Sequence, residues 1–330
     1  MGLSDYKIAW FTEGGWQGKV TLDNPNMRND VSTKYVLGAE HYPIFHIPQV
    51  LQHFGEKHFD FLIVTLPKTN VAKLLQFDMI GDLKKLGKKV ISMQEGPHWY
   101  FQDYTMEEQI WWYNTLTEFD MLFAHNKKDV KYYQGLVNKP VEKMPTLMLT
   151  ERLGILPRSE SGYSVMIGGN MVRWYGGFDS YVVAQEFDMP IYAPSMGRKI
   201  DREDEMEINH LPYMTWVEWI NTLSQFHSAV HLMPTHAAGT FTLNCAFHGI
   251  PCIGYRGLDT QEELHPELTV DDGDLKTAKE LANKLKMDEE FYDKCSKISR
   301  DAYRESLYTE AKRKLTINSD WLNEDEAAWL

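Results

Sequence analysis

Residues 230–255, VHLMPTHAAGTFTLNCAFHGIPCIGY, decide the expected fold of this chain. The apolar residues 228–234 predict a short strand, and the small residues 235–239 predict a turn after it. Residues 240–248 then predict a helix, which the following glycine ends in a left-handed conformation, and residues 250–254 predict a second strand. A strand, a turn, a helix and a strand in this order are typical of a parallel α/β sheet.

The start of this predicted helix is a candidate anion site. The first N–H groups of an α-helix have no partner inside the helix, and in such a unit they point towards the carboxyl ends of the strands. A diphosphate can bind there. The alternative interpretation is an ordinary crossover that connects two strands and binds nothing, and the spacing alone does not decide between the two.

Length and composition predict two α/β domains of ordinary size. The chain has 330 residues, of which 43% are hydrophobic and 25% are charged, as in water-soluble globular proteins. No apolar run approaches the ~20 residues that a membrane span requires, and the N-terminus reads as a first strand rather than a signal peptide. We therefore expect a cytoplasmic protein. Cys245, Cys252 and Cys295 lack CxxC spacing, so we expect core thiols rather than disulfides or a zinc site.

The net charge of −13 is distributed unevenly. Residues 1–149 contain 16 Lys and Arg against 17 Asp and Glu, whereas the remainder contains 18 against 30. The whole-chain charge disfavours a polyanionic partner, but the nearly neutral first half weakens this argument. Two lysine clusters in that half are either phosphate contacts or solvated surfaces: Lys84, Lys85, Lys88 and Lys89, and Lys127, Lys128 and Lys131.

The first half alternates strand-like and helical segments, which predicts a parallel sheet. Residues 6–11 form the expected first strand, and the glycine-rich turn TEGGWQG at 12–18 follows its carboxyl end, where ligands collect in such sheets. The spacing of the glycines is not GxGxxG, so a dinucleotide-dependent dehydrogenase is disfavoured. Further strands are expected at 59–65, 89–94, 121–125 and 141–144.

A change in composition divides the chain. Pro, Gly, Ser and charged residues replace the apolar pattern in TERLGILPRSESG at 150–162, which we interpret as a linker. The linker separates a domain at 1–149 from one at 163–290, and a helical, then acidic tail at 291–330 is expected to pack back across the domains. In the second domain we expect strands at 163–167, 190–193, near 208 and at 268–270, and helices at 178–187, at 215–226 and from an N-cap at Asp274.

Two such halves, a glycine turn opening each, and AGTFTLNCAFHGIPCIGY in the second resemble the GT-B glycosyltransferases. The resemblance implies an α/β fold of two Rossmann-like domains facing a central cleft, with an acceptor domain at 1–149 and a nucleotide-sugar domain at 163–290. Retaining members of this superfamily carry a pattern like PS-x-x-E-G-x-G-x-x-x-x-E-A-x-x-x-G-x-P. The residues that match it are Pro234, Thr235, Gly239, Ala246 with an offset of one step, Gly249 and Pro251.

The two acids of this pattern are replaced in the chain. Counting back from Gly249 places Asn244 at the second glutamate, which in the family holds the ribose hydroxyls, and His236 at the first, which faces the donor sugar. The resemblance implies that Asn244 hydrogen-bonds the ribose and that His236 contacts a sugar hydroxyl or the diphosphate. The alternative for each is a purely structural role: His236 is a residue of the turn, and Asn244 is a polar helix residue whose hydrogen bonds are made within the protein. The same loop adds Ala238, Gly239 and Thr240 to the expected donor site.

The segment GGNMVR at 168–173 resembles the arginine clamp of the family. Gly169 and Asn170 offer a flexible backbone, and Arg173 would bind the departing diphosphate in bidentate fashion. Lys199 is a second candidate cation. A surface salt bridge is the alternative for Arg173, and an ordinary surface position is the alternative for Lys199.

Sugar transfer with inversion needs a group that takes the proton of the acceptor hydroxyl. Glu95 and Glu13 each follow a strand of the first half, and we expect both at the edge that faces the cleft; Asp103 and His98 are alternates. A cap or a loop anchor is the competing role for each carboxylate, and a retaining enzyme requires no such base. The expected acceptor contacts are Gly14, Gly15, Trp16, His98 and Trp99.

Two patterns that suggest a metal site have simpler explanations. Asp272-Gly273-Asp274 contains a DxD, but an N-cap turn before the next helix explains it. His227 and His231 have i, i+4 spacing, but a strand that begins between them separates their directions. We expect no essential metal or cofactor, and a nucleotide diphosphate sugar, preferably a UDP-sugar, as donor substrate.

The sequence thus predicts glycosyl transfer from a nucleotide sugar to an acceptor hydroxyl. In its small size and its lysine clusters, the chain resembles bacteriophage enzymes that glycosylate hydroxymethylated pyrimidines in DNA. Such an enzyme would act in the host cytoplasm. The alternative acceptors are a surface polysaccharide and a lipid-linked sugar. A nucleotide-sugar epimerase of the same double fold and a noncatalytic nucleotide-sugar binder are the alternatives to a transferase. The sugar, the nucleotide base, the stereochemical outcome and the oligomeric state stay open.

Overall fold

The structure is a computed structural model that describes residues 6–67, 70–94, 96–150, 163–169, 171, 173–194 and 203–305. The described residues divide into two compact units. The first contains residues 6–24 and 29–145, and the second contains residues 25–28 and those from 146 onwards. Most of the predicted linker, and the tail beyond 305, lie outside the described residues.

The first unit is built on a parallel sheet with one antiparallel edge. Its strand order is β2-β3-β1-β4-β5-β6-β7, and only the β2–β3 pair among these described strands is antiparallel. The strands are β1 (Ile8–Thr12), β2 (Gly18–Lys19), β3 (Glu40–Pro43), β4 (Phe59–Thr65), β5 (Gly87–Met93), β6 (Met121–Ala124) and β7 (Val141–Lys143).

Helices cover the sheet of the first unit and bury its apolar residues. They are α1 (Asn29–Leu37), α2 (Ile47–Phe54), α3 (Val71–Leu74), α4 (Met79–Leu86), α5 (Met106–Thr117) and α6 (Lys127–Leu136). Helix α5 begins with a capping box in which Thr105 and Glu108 satisfy each other's backbone N–H groups. The core includes Phe11, Leu62, Leu83 and Leu116, all buried.

The second unit contains a sheet whose described strands are all parallel. Its strand order is β10-β9-β8-β11-β12-β13. The strands are β8 (Val165–Ile167), β9 (Ile191–Ala193), β10 (Ile208–His210), β11 (Ser228–His231), β12 (Cys252–Tyr255) and β13 (Thr269–Val270). The predicted strands of this half are confirmed; most are one to three residues shorter than predicted, and β12 ends one residue later than predicted.

The helices of the second unit pack on both faces of this sheet, as an α/β architecture requires. They are α7 (Gly177–Ala184), α8 (Trp216–Leu223), α9 (Thr240–His248), α10 (Asp259–Leu264), α11 (Leu275–Met287) and α12 (Glu289–Glu305). Helix α9 spans the predicted residues, and Gly249 ends it with φ +67°. Asp274 caps α11 by accepting a hydrogen bond from the Thr277 N–H at 3.0 Å. That cap explains the DxD pattern.

Strand β3 is not predicted from the sequence, because its four residues, EHYP, carry no alternating pattern and end in proline. Strand β3 lies beside β1 and thereby fixes the point at which the strand order of the first sheet reverses. In the described ranges, no helix combines the length and the apolar composition that a bilayer crossing requires.

Candidate functional site

The strand order of the second sheet reverses between β8 and β11. From β8 the chain continues to β9 and β10 on one side, and from β11 to β12 and β13 on the other. Open α/β sheets bind ligands in the crevice at this switch point, outside the carboxyl ends of the strands. Gly168 and Gly169 follow β8 at this point, and the Gly168 N–H still donates to the Val230 carbonyl at 2.9 Å. Gly169 has φ +78°, a backbone conformation that favours glycine.

Helix α9 begins at the same switch point and has no side-chain cap. Its N-cap is Gly239, with φ +71°, and a glycine has no side chain that could accept a hydrogen bond from the first turn. The N–H groups of the first turn therefore keep their capacity to bind an acceptor from a ligand. Together with the helix dipole, such groups favour a phosphate or another anion.

The loop before α9 is held in place by hydroxyl groups. Thr242 and Thr260 both donate to the Gly239 carbonyl at 3.0 Å, and their own hydroxyls lie 2.6 Å apart. A Cβ atom at position 239 would lie 1.9 Å from Thr260 Oγ1, so the loop and α10 pack too closely for any side chain there. Thr146 Oγ1 donates to the Ala238 carbonyl. These contacts hold the candidate anion-binding loop in place.

The predicted arginine segment lies next to this loop. Arg173 begins a 3₁₀ turn, Arg173–Tyr175, and the hydroxyl of Thr235 donates to the Trp174 carbonyl at 2.8 Å. The backbone of the arginine segment is therefore joined to the loop that precedes α9. Asn170 and Lys199 lie outside the described residues.

The two residues at the family's acidic positions are both buried. His236 is 7% exposed, and its ring packs on the backbone of Gly257, where a Cβ atom would lie 2.4 Å from His236 Cε1. Asn244 is 3% exposed. In the amide orientation that satisfies both its oxygen and its nitrogen, Asn244 donates to the Thr240 carbonyl at 3.2 Å and accepts from Trp219 Nε1 at 3.0 Å. These bonds favour the structural interpretation of Asn244, because they tie α9 to α8.

His231 is a residue of this region that the sequence analysis did not assign to the donor site. It ends β11, is 6% exposed, and lies with its ring centroid 5.0 Å from that of Phe241 in the first turn of α9. A Cβ atom on Gly168 would lie 2.5 Å from His231 Cδ2, so the ring rests on the glycine turn. Burial lowers the pKa of His231 to about 4, so the imidazole is neutral at neutral pH.

The first sheet has a switch point of its own, between β1 and β4. Glu13 follows β1 directly, and Asn70 lies in the loop after β4. The Asn70 side-chain amide donates to Glu13 Oε1 at 2.6 Å, which joins the two loops at the position where a ligand of this sheet is expected. Glu95, the other predicted carboxylate, lies outside the described residues.

The glycine turn after β1 supports an exposed aromatic ring. The ring of Trp16 lies with its centroid 3.8 Å from that of His41, and 40% of Trp16 is exposed. His41 Nε2 hydrogen-bonds Thr12 Oγ1 at 2.9 Å, and burial and then the Lys34 charge lower the pKa of His41 to about 4. Gly14 packs on the His41 ring, whereas Gly15 borders open space. The turn thus presents one indole face, backed by a neutral imidazole.

His98 is fixed by a buried carboxylate. Asp129, 1% exposed, accepts at Oδ1 from the His98 backbone N–H at 3.0 Å and lies 2.7 Å from His98 Nδ1. Asn126 Nδ2 donates to the other oxygen of Asp129 at 2.7 Å. The His98 ring stacks on Tyr132 at 4.2 Å, and the neighbouring Trp99 ring stacks on Tyr100 at 4.6 Å. Both predicted acceptor residues therefore lie in an ordered aromatic surface after β5.

Solved structures of known proteins share this architecture. HepE from Anabaena, in complex with UDP and glucose, matches with a TM-score of 0.63 and 10% identity over 98% of each chain. Sucrose-phosphate synthase from Thermosynechococcus elongatus matches with a TM-score of 0.67 and 10% identity over 96% of this chain and 98% of that one. This chain has the GT-B fold. The resemblance seen in the sequence is confirmed at the level of the fold.

The GT-B fold is also shared with a longer protein. TarM matches with a TM-score of 0.65 and 9% identity over 86% of this chain, which spans 60% of the TarM chain. No family model matches the sequence, and no similar sequence is found among curated proteins. The similarity to these proteins is therefore one of backbone fold.

Proposed function

We propose that this protein is a glycosyltransferase that moves a sugar from a UDP-sugar to an acceptor hydroxyl. One observation carries the proposal: the uncapped start of α9 and the Gly168-Gly169 turn meet at the switch point of the second sheet. This arrangement suits a diphosphate. The similarity to HepE, whose solved structures contain UDP, UDP-glucose and glucose, supports a uridine nucleotide as the carrier.

The donor is assigned to the second unit. The backbone N–H groups around Gly239 and Thr240 would bind diphosphate oxygens, with His236 of the same loop packed on Gly257. Arg173 would neutralise charge as the bond from the sugar to phosphate breaks. Gly169 and Ala238 remain in the proposed site through their backbone, and Asn244 remains as the residue that holds α9 in place; Asn170, outside the described residues, stays a prediction from the sequence.

The acceptor is assigned to the first unit. Its hydroxyl oxygen attacks C1 of the donor sugar, the C1–O bond to the diphosphate breaks with its electron pair on the diphosphate, and Glu13 takes the hydroxyl proton in an inverting reaction. Glu95 is the competing base. Trp16, with Gly14 and Gly15, offers a flat face for the acceptor, and His98 and Trp99 extend this surface.

The charged surface of the first unit bears on the identity of the acceptor. In the first lysine cluster, Lys84 pairs with Glu118 at 2.6 Å and Lys88 pairs with Asp60 at 2.9 Å, so these charges are already balanced. The second cluster, on α6, is exposed beside the stacked His98 and Tyr132. Cations next to exposed aromatic rings suit a nucleic acid. A hydroxymethylated pyrimidine in phage DNA is therefore our first acceptor candidate, and a polysaccharide or a lipid-linked sugar is the second. A cytoplasmic location stays a prediction from the sequence.

Calorimetric titration with UDP tests the donor assignment. We expect the wild type to bind UDP and Arg173→Ala to bind it at least tenfold more weakly, because a diphosphate loses a charged partner. Arg304→Ala, on the exposed side of α12, is the matched control and should bind like the wild type. If Arg173→Ala bound UDP as tightly as the wild type, the proposed role of Arg173 in diphosphate binding would be wrong.

Product analysis separates the enzyme classes. With a UDP-sugar, hydroxymethylated DNA and oligosaccharides, a transferase yields a glycoside only when an acceptor is present. An epimerase yields a released or altered sugar without one, and a noncatalytic binder leaves the donor unchanged.

A further inference from the structure

His231 lies where the donor site of the second unit is proposed. It is the last residue of β11, beside the switch point, and its ring fills the space between the Gly168 turn and Phe241 of α9. Both of those segments contribute to the proposed diphosphate site. The ring therefore borders the site from inside the sheet.

One ring nitrogen of His231, Nδ1, is buried without a hydrogen-bond partner. His231 is 6% exposed, yet no hydrogen bond to either ring nitrogen is present in the described part of the chain, and Nδ1 is completely shielded from water. Buried side-chain polar groups in native proteins are nearly always hydrogen-bonded, so such an exception calls for an explanation.

Another buried histidine of the same unit, His265, also has an Nδ1 without a hydrogen-bond partner, but its other ring nitrogen is bonded. His265 is 2% exposed, and its Nε2 hydrogen-bonds the Thr242 carbonyl at 3.0 Å. Burial is the largest cause of a lowered pKa, about 4, for both His265 and His231. The two rings therefore have the same charge and similar burial, and they differ at Nε2, which has a partner among the described residues in His265 and none in His231.

We propose that the His231 imidazole is a donor-binding group that hydrogen-bonds an oxygen of the sugar diphosphate. The inference rests on the proposed function. A neutral imidazole offers one N–H donor and one acceptor nitrogen, so it can hydrogen-bond a ligand oxygen without adding charge to the site. The ligand supplies a partner for Nε2, to which the described residues give none, and the ligand-free protein bears the cost of a buried unsatisfied ring.

This arrangement predicts opposite effects of one substitution on stability and on binding. His231→Leu removes the unsatisfied nitrogens and retains apolar volume, so the ligand-free protein should melt at the same or a higher temperature. Its affinity for the UDP-sugar should fall about fivefold to tenfold, the loss expected for one hydrogen bond. His231→Gln, which keeps a polar group, should bind with intermediate affinity.

His265→Leu is the matched control. It breaks the hydrogen bond to Thr242, so the protein should melt at a lower temperature and should bind the donor as tightly as the wild type below that temperature. Unchanged affinity in both His231 variants would overturn the inference while leaving the proposed function intact. Absence of any nucleotide-sugar binding by the wild type would overturn the proposed function, and this inference with it.

Discussion

The side-chain amide of Asn70 donates a 2.6 Å hydrogen bond to Oε1 of Glu13, across the switch point of the first sheet. Asn70 is the N-cap residue of α3, but its side chain does not cap that helix. It has φ +59°, a left-handed conformation that asparagine tolerates better than most residues. The Asn70 side chain thus makes no capping bond to α3 and instead orients Glu13, the candidate catalytic carboxylate.

The first prediction concerns this pair. Glu13→Gln should leave UDP binding unchanged and lower turnover about a hundredfold or more, because a general base typically contributes that much. Asn70→Gly keeps the left-handed backbone and removes only the amide, so turnover should fall less, about tenfold. Steady-state kinetics with a fixed acceptor measures both effects. Normal turnover in Glu13→Gln, together with a large loss in Glu95→Gln, would transfer the role of base to Glu95.

The second prediction concerns the glycine turn of the second sheet. In Gly168→Ala the new Cβ would lie 2.5 Å from the His231 ring and 2.8 Å from Phe241, so the ring must move into the proposed diphosphate site. We expect UDP affinity to fall at least tenfold and the free energy of unfolding to fall by about 1–3 kcal/mol. Gly135→Ala in α6 meets nothing within 4 Å and should be neutral or stabilising by up to about 1 kcal/mol. Equal UDP binding in the two variants would contradict the placement of the site.

The third prediction concerns stability and pH. The folded-state pKa values of His41, His231 and His265 are about 4, mainly through burial, whereas an unfolded histidine titrates near 6.5. Between these values the unfolded chain binds more protons, so stability is complete above about pH 7 and is lost as the pH falls towards 4. Each histidine contributes a slope of up to about 1.4 kcal/mol per pH unit. Denaturant unfolding at several pH values should show a shallower slope for His231→Leu; an unchanged slope would contradict its burial as a neutral ring.

The fourth prediction concerns the carboxylate that fixes His98. Asp129→Ala leaves the His98 N–H groups and Asn126 without their acceptor, so the free energy of unfolding should fall by about 2–4 kcal/mol. If His98 contacts the acceptor, the KM for the acceptor should also rise while UDP affinity stays the same. Glu107→Ala, which changes an exposed carboxylate of α5, is the control and should change neither quantity.

The sequence was most informative where local rules determine structure. Helix α9 and its Gly249 cap were predicted to the residue, because a periodic apolar segment ends at a glycine that adopts φ +67°. The N-cap at Asp274 followed from the same kind of local chemistry. Strand β3 was missed because four residues without alternation give no signal, and its position beside β1 depends on the assembled sheet.

The contacts of the candidate sites depend on topology instead. Glu13 and Asn70 are 57 residues apart in the chain, and His98 and Asp129 are 31 apart, so no spacing rule joins them. His231 drew attention only for its spacing from His227, whereas its relevant neighbour is Gly168, on the adjacent strand. The sequence therefore predicted which turns carry the candidate sites, whereas the order of the strands in each sheet determines which side chains meet at those turns.

A thermal-shift panel of UDP, GDP, CMP and ADP sugars tests the central claim most directly. A ligand that binds only the folded state raises the melting temperature. We predict a selective shift with a UDP-sugar, and a smaller shift or none in Gly168→Ala. A panel in which no nucleotide sugar shifts the wild type would contradict the assignment of the second unit as a donor-binding domain.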